Sequence, residues 1–537
     1  MRRRDFLHAA GVASALPLAG PGMARAPRGS LAARPTAAPH AELDELTIAE
    51  LQVAMQAGRY TSRRLVELYL ARIAAVDRPP GGVNAVIELN PDARAIADER
   101  DRERRAGRVR GPLHGIPVML KDNIDTGDRM MTTAGSLALA GSRAPRDAFI
   151  AARLREAGAV LLGKTNLSEW ANYRADRSSS GWSGRGGQTR NPYVLDRNPC
   201  GSSSGSAAAV SASLCAVAIG TETDGSIVCP ASACGIVGIK PTVGLWSRSG
   251  IIPISETQDT AGPMGRMVAD AAALLGPLAG EDPRDPRTAS AAGHRHADYT
   301  RFLDRNGLRG RRIGVLRSRF GFHERVDAIL EEALAVMRRE GAVIVDPVEL
   351  ESRGIGDRES LVLSYEFKDG VNRYLSGTPG APVRSLAEVI AFNAANADAS
   401  MPYFGQETLV EADKRGGLDT PEYREALTAM LEGARARGID ATIAKHRLDA
   451  IMAPTGGPAW PIDVINGDHF GGGSSGYAAR AGYPGITVPA GFVHGLPVGL
   501  SLFSGAWQEP ALIAMAYAYE QASRVRQPPR FVRTLDL

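Results

Sequence analysis

The run Gly201-Ser202-Ser203-Ser204-Gly205-Ser206-Ala207-Ala208-Ala209-Val210 constrains the fold more than any other stretch of this 537-residue chain. Two glycines free the backbone, and the side chains around and after them are too small to hold a neighbouring element away. Such a stretch reads as a flexible loop that delivers hydroxyls and backbone N–H groups to the start of a closely packed helix. The rest of the chain supplies layers for that helix to pack on, because segments of strand length alternate with segments of helical apolar spacing from Thr47 onward.

Thr47-Ile48-Ala49-Glu50 is a capping box opening an amphipathic helix, and Leu65, Leu68, Tyr69 and Ile73 continue helical spacing. Residues 83–89 read as a strand, 148–157 as a helix and 160–163 as a short buried strand. The alternation predicts an α/β layered fold, and the length by itself admits several domains. Residues 281–312, rich in Pro, Asp, Arg and His, interrupt it. A helix-rich section over about 310–445 follows, with a helix at 326–339 feeding a strand at 342–345 and a helix at 422–437 before a strand at 448–453. Strands at 485–489 and 498–503 and a helix at 510–523 complete the pattern.

At the other end, Arg3-Arg4-Asp5-Phe6-Leu7 follows a twin-arginine pattern ahead of an apolar stretch at 9–18, and Ala24-Arg25-Ala26 offers a small-x-small cleavage site. That stretch is shorter than the roughly 20 residues needed to cross a bilayer. Residues 1–26 are therefore read as an export signal, 27–46 as an Ala/Pro-rich linker and 47–537 as the folded domain. The expected location is the periplasm or the medium, with no stable membrane anchor after cleavage.

Three segments carry chemistry. Gly115-Ile116-Pro117-Val118-Met119-Leu120-Lys121-Asp122-Asn123 is an apolar strand run ending in a cation, which places Lys121 at a strand tip. The chain has six lysines against fifty-seven arginines. A plain surface cation would have been written as Arg, whereas a cation that must lose its proton cannot be. Ser202 lies in the glycine-serine run, and Gly220-Thr221-Glu222-Thr223-Asp224-Gly225-Ser226-Ile227 places a second serine after glycine in a turn. A serine hydroxyl attacks only with a base in reach, and a buried lysine, tuned from ~10.4 to roughly 7–8, can be that base.

These motifs, with Gly238-Ile239-Lys240-Pro241-Thr242, resemble the amidase signature family. The resemblance implies one large domain with a large mixed central sheet covered by helices, a signature core over about 110–267 and the helix-rich section shaping the substrate pocket. It implies Ser226 as nucleophile, Ser202 as bridging serine on a cis peptide bond after Gly201, and Lys121 as ultimate base. The backbone N–H groups of Thr223, Asp224, Gly225 and Ser226 would form the oxyanion hole. The implied reaction is hydrolysis of a carboxamide C–N bond through an acyl-enzyme, giving an acid plus ammonia or an amine, without metal or organic cofactor. Cys200 and Ser204 depart from family glycines, and Glu222, Asp224 and Val228 from the usual Asp, Gly and Arg. The combination is similar to the bacterial peptide amidase branch, which makes the C-terminal amide of peptides a candidate substrate; aryl-acylamides and other linear amides remain open. The family's amidotransferase subunit acts on charged transfer RNA inside the cell, out of reach of an exported chain.

Other readings fare worse. Gly201-Ser202-Ser203-Ser204-Gly205 matches a nucleophile elbow centred on Ser203, but residues 190–199 carry turn signals where a strand is required. Ser203 is thus assigned a supporting place. No Gly-Lys-Ser/Thr follows the loop, so phosphate binding is not indicated. Lys164 and Lys240 are read as structural. Cys200, Cys215, Cys229 and Cys234 have no histidines at ligand spacing, arguing against zinc, and are expected to be free buried thiols. A net charge of +4 without a basic, aromatic-laced stripe argues against nucleic acid. A non-catalytic periplasmic binding protein on the same fold would have no need of Lys121, Ser202 and Ser226 together. The glycine-rich loop at 471–477 reads equally as a pocket wall or a plain connector.

Overall fold

The strand-length runs pair edge to edge into one sheet in the computed structural model, which describes residues 41–351 and 354–535. In chain order the strands are β1 (Val86–Leu89), β2 (Pro117–Lys121), β3 (Val160–Thr165), β4 (Trp182–Ser183), β5 (Gly187–Gln188), β6 (Val217–Glu222), β7 (Val237–Lys240), β8 (Thr260–Gly265), β9 (Arg312–Val315), β10 (Val343–Val345), β11 (Ala450–Pro454), β12 (Gly485–Val493) and β13 (Leu496–Phe503). β4 and β5 form a separate hairpin, and the other eleven run in the order β1-β3-β2-β6-β8-β7-β12-β13-β11-β9-β10. The sheet is mixed: β2 lies parallel to β3 and β6, while β6, β8, β7, β12 and β13 pair antiparallel. This is the large helix-covered mixed sheet that the signature motifs imply.

β2 runs between two parallel neighbours, and Val118, Met119 and Leu120 are fully buried, as expected of a strand covered on both faces. Helix Ser204–Ser211 packs across β2, β3, β6 and β8 with every residue buried. Alanine and serine make that approach possible. A Cβ on Gly205 would stand 2.4 Å from the Ala85 carbonyl oxygen, so the first turn of the helix touches backbone directly. The helix-rich section, including Ile355–Ser376, Leu386–Ala395 and Glu407–Asp413, has its own apolar cluster, in which Phe367, Val371 and Leu386 meet Leu139, Leu167 and Trp170. It is thereby fixed to the loops that follow β2 and β3.

Some boundaries differ from the sequence reading. β1 starts at Val86, not Val83, because Asn84 turns with φ +54° and the buried Asp77 carboxylate accepts the Ala85 N–H at 2.6 Å. The helix expected over 422–437 closes at Ala434 and passes into a π turn, Arg435–Ile439. The folded part also reaches back beyond the capping box into the stretch read as linker. Leu43 is buried, and both Glu45 carboxylate oxygens accept from Arg526 at 2.8 Å. The export-signal reading falls on residues outside the described ones. Among the described residues no helix is long and apolar enough to cross a membrane, and they lie in one compact unit.

Candidate active site

Lys121 is the last residue of β2, and its side chain turns inward at the strand tip with no exposed surface. Its Nζ lies 2.8 Å from Ser202 Oγ, 2.8 Å from Thr221 Oγ1 and 3.2 Å from the Thr221 carbonyl oxygen. A neutral amine, with two N–H bonds and one lone pair, can satisfy all three by donating to the two Thr221 oxygens and accepting the Ser202 hydroxyl. Burial pushes the Lys121 ammonium down to about 7, partly opposed by the negative charges of Asp259 and Glu222.

Ser202 follows a cis peptide bond with Gly201. Its carbonyl accepts the Ser168 N–H at 3.1 Å. Gly201 is required by close approach, since a Cβ there would fall 2.3 Å from Ser168 Oγ. The Ser203 N–H donates to the Ser226 carbonyl at 3.1 Å, which brings the glycine-serine loop against the second serine motif. Ser226 is 7% exposed while Lys121, Ser202 and Ser203 have no exposed surface, so Ser226 is the group of the four that a substrate can reach.

The turn that carries Ser226 follows β6 directly. Glu222, the last residue of β6, accepts the N–H groups of Ile227 and Val228 on one carboxylate oxygen at 2.7 and 3.0 Å. This clamps both ends of the intervening loop. Among the described residues, none of the four N–H groups between them, those of Thr223, Asp224, Gly225 and Ser226, donates to a protein acceptor. Successive backbone N–H groups left open in this way are the donors from which anion-binding nests are built. Gly225 has φ +79°, and a Cβ on it would meet Ser475 Oγ at 2.9 Å, so both conformation and space call for glycine. The side chains around the turn are tied down: Thr223 Oγ1 donates to Asp259 at 2.6 Å, Ser475 Oγ to Asp224 at 2.5 Å, and Gln258 Nε2 to the Thr223 carbonyl at 3.3 Å.

Ser203, the elbow alternative, has no strand before it, and its hydroxyl is consumed by the Thr221 backbone, donating to the carbonyl at 3.0 Å and accepting the N–H at 3.1 Å. Lys164 donates to the Ile124 and Met131 carbonyls and to Thr132 Oγ1, a structural role. Lys240 lies beside Glu222, and burial pushes it down to about 8. The cysteine expectation needs correction: Cys200 and Cys229 form a disulfide with Cα atoms 6.0 Å apart, whereas Cys215 and Cys234 are free and buried. The apolar surroundings of the pair suggested inert thiols; the fold brings the two residues together across the loops bearing Ser202 and Ser226. Among the described residues no group of three or more His, Cys, Asp or Glu side chains could hold a metal ion.

Sequence reasoning missed Thr221, Asp259, Gln258 and Ser475. Thr221 was within reach of it, lying in the same motif as Ser226, one strand over from Lys121. Asp259 and Gln258 come from a distant loop and carry no local signature, whereas Ser475 lies in the glycine-rich stretch 471–477 whose role the sequence left open.

A family model described as amidase matches residues 64–513. A probable amidase of Arabidopsis thaliana is 43% identical over 500 residues, covering 91% of this chain and 92% of its own. Among solved structures, native peptide amidase from Stenotrophomonas maltophilia matches with a TM-score of 0.87 at 56% identity over 91% of this chain and 99% of that one. A peptide amidase in complex with the competitive inhibitor chymostatin matches with 0.89 at 57% identity and the same coverage. The chain belongs to the amidase signature family and is an amide-hydrolysing enzyme.

Proposed function

We propose that the protein is a serine amidase acting on the C-terminal carboxamide of peptides, with Ser226 as nucleophile, Ser202 as proton bridge and Lys121 as base. The observation that carries this reading is the Lys121 amine, fully buried, pushed down to about 7 and 2.8 Å from Ser202 Oγ. A substrate carbonyl seated on the N–H groups of residues 223–226 presents its carbon to Ser226 Oγ. The Ser226 proton passes to Ser202, and the Ser202 proton to Lys121. The tetrahedral oxyanion is held by the open donors, each worth roughly 2.7–4 kcal/mol in comparable sites. As the intermediate collapses, the leaving nitrogen receives the proton held on Lys121 through Ser202 and departs as ammonia, and water then adds to the Ser226 ester through the same relay and frees the acid.

Two solved peptide amidase structures, at 56 and 57% identity, support the peptide-amide substrate class. The twin-arginine pattern supports export to the periplasm or beyond. The test is ammonia release from a panel of peptide amides and aryl amides by the protein and by its Ser226→Ala variant. Release from peptide amides that disappears with Ser226 is expected. Release by folded Ser226→Ala protein, or from aryl amides only, contradicts the assignment.

A further inference from the structure

The segment between β11 and helix Ser475–Ala481 crosses from one catalytic loop to the other. Near its middle, the Asp468 carboxylate accepts from the Ser180 N–H at 3.0 Å, Ser180 Oγ at 2.5 Å, Asn198 Nδ2 at 3.0 Å and Trp460 Nε1 at 3.1 Å. Asn198 in turn accepts the Cys200 N–H at 2.8 Å, and a Cβ on Gly201 would stand 3.2 Å from the Ser180 Cβ. Asp468 is therefore moored to the loop that carries Ser202. At the far end, Ser475 is moored to Asp224, two residues before Ser226. The glycine-rich stretch left open between pocket wall and connector is thus tied at both sides of the site.

Between the moorings stands Phe470. Its ring meets Trp460 edge-on at 5.7 Å, and Trp460 packs with Cys200 and Cys229, the disulfide flanking Ser202 and Ser226. Glycines let the backbone fold tightly beneath the ring: a Cβ on Gly456 or Gly473 would lie 3.1 or 2.9 Å from it. Phe470 nevertheless keeps 47% of its surface exposed. A large aromatic side chain supported from below, bare above and fixed to both catalytic loops is built to receive an apolar group.

We propose that Phe470, backed by Trp460, is the platform for an apolar side chain of the peptide amide, making the enzyme selective for amides of bulky apolar residues over glycinamide. This rests on the amidase reading above and names its substrate class more closely. The phenyl ring takes no part in the bond changes, so its contact is made equally in ground and transition states and the preference falls in KM.

The test compares kcat/KM for Gly-Phe-NH2 and Gly-Gly-NH2. The unaltered protein is expected to favour the phenylalaninamide. In Phe470→Ala that preference falls by roughly tenfold, through KM for the phenylalaninamide. Phe470→Leu recovers part of it, and Ile465→Ala, on the same segment but outside the two moorings, leaves it unchanged. An unaltered ratio in Phe470→Ala protein that turns over both amides overturns the platform. An equal loss on both substrates does so too, since it marks a structural role. Failure of the unaltered protein to release ammonia from either peptide overturns the amidase reading itself.

Discussion

Burial lowers the Lys121 ammonium to about 7, and among the described residues no carboxylate is bonded to Nζ to restore it. Asp259 and Glu222 favour its ammonium form through space, yet neither is bonded to it. Activity should therefore rise with pH through about 7, as the amine loses its proton. Asp259→Asn removes a charge that favours the ammonium, so the acid limb of the kcat/KM profile should move to lower pH; a shift upward contradicts this electrostatic account. Lys121→Met, similar in length and without a lone pair, should lose on the order of 10²-fold or more in kcat while its melting temperature does not fall. Ser203→Ala should act differently, leaving the buried Thr221 N–H without an acceptor at a cost of about 1–3 kcal/mol in stability, with less loss of kcat than Ser202→Ala. Thermal melts beside initial rates separate the two. Lys121, Ser202 and Ser226 were legible in sequence because each lies in a dense local motif. Asp259 and Gln258 were not, because their places depend on long-range packing of the loop before β8.

Two devices at the scale of elements hold the turn that carries Ser226. Glu222 binds the far side of the loop that begins with it, and the Cys200–Cys229 disulfide ties the start of the Ser202 loop to helix Val228–Ala233. Closing a loop of 29 residues lowers the entropy of the unfolded chain by the equivalent of about 3–4 kcal/mol. Paired Cys200→Ser and Cys229→Ser replacement should therefore lower the melting temperature, and kcat should fall with it because the disulfide fixes the spacing of the two serine loops. Loss of stability at unchanged kcat would confine the disulfide to a purely structural role. The pairing was not legible in sequence: the spacing of four cysteines in small-residue surroundings does not say which two the fold brings together. Cys200, with φ +59°, also shows how this chain accommodates a departure from a family glycine, by placing an L-residue in the left-handed region.

Over the whole molecule, the order of helices and strands followed from periodicity, since strands such as β2 and β3 are short runs between turn signals that open apolar and turn polar only at their last residues. The order of strands in the sheet did not, because β12 and β13 join β7 to β11 from nearly 250 residues further along the chain. The role of residues 41–46 was hidden for the same reason. Among their partners are Arg72 and Arg526, and Arg526, whose side chain is buried, also donates to the Gly235 carbonyl. Glu45→Ala leaves that guanidinium without its carboxylate and should lower the melting temperature clearly, by an amount bounded by the roughly 3–5 kcal/mol seen for breaking fully buried pairs. The central claim, an acyl-enzyme on Ser226, is tested most directly by acid-quenching turnover of a slowly hydrolysed peptide amide and locating the acyl group by fragment mass spectrometry. The added mass of the peptide acyl group is expected on Ser226; the same mass on Ser202 or Ser203 would contradict the acyl-enzyme assignment.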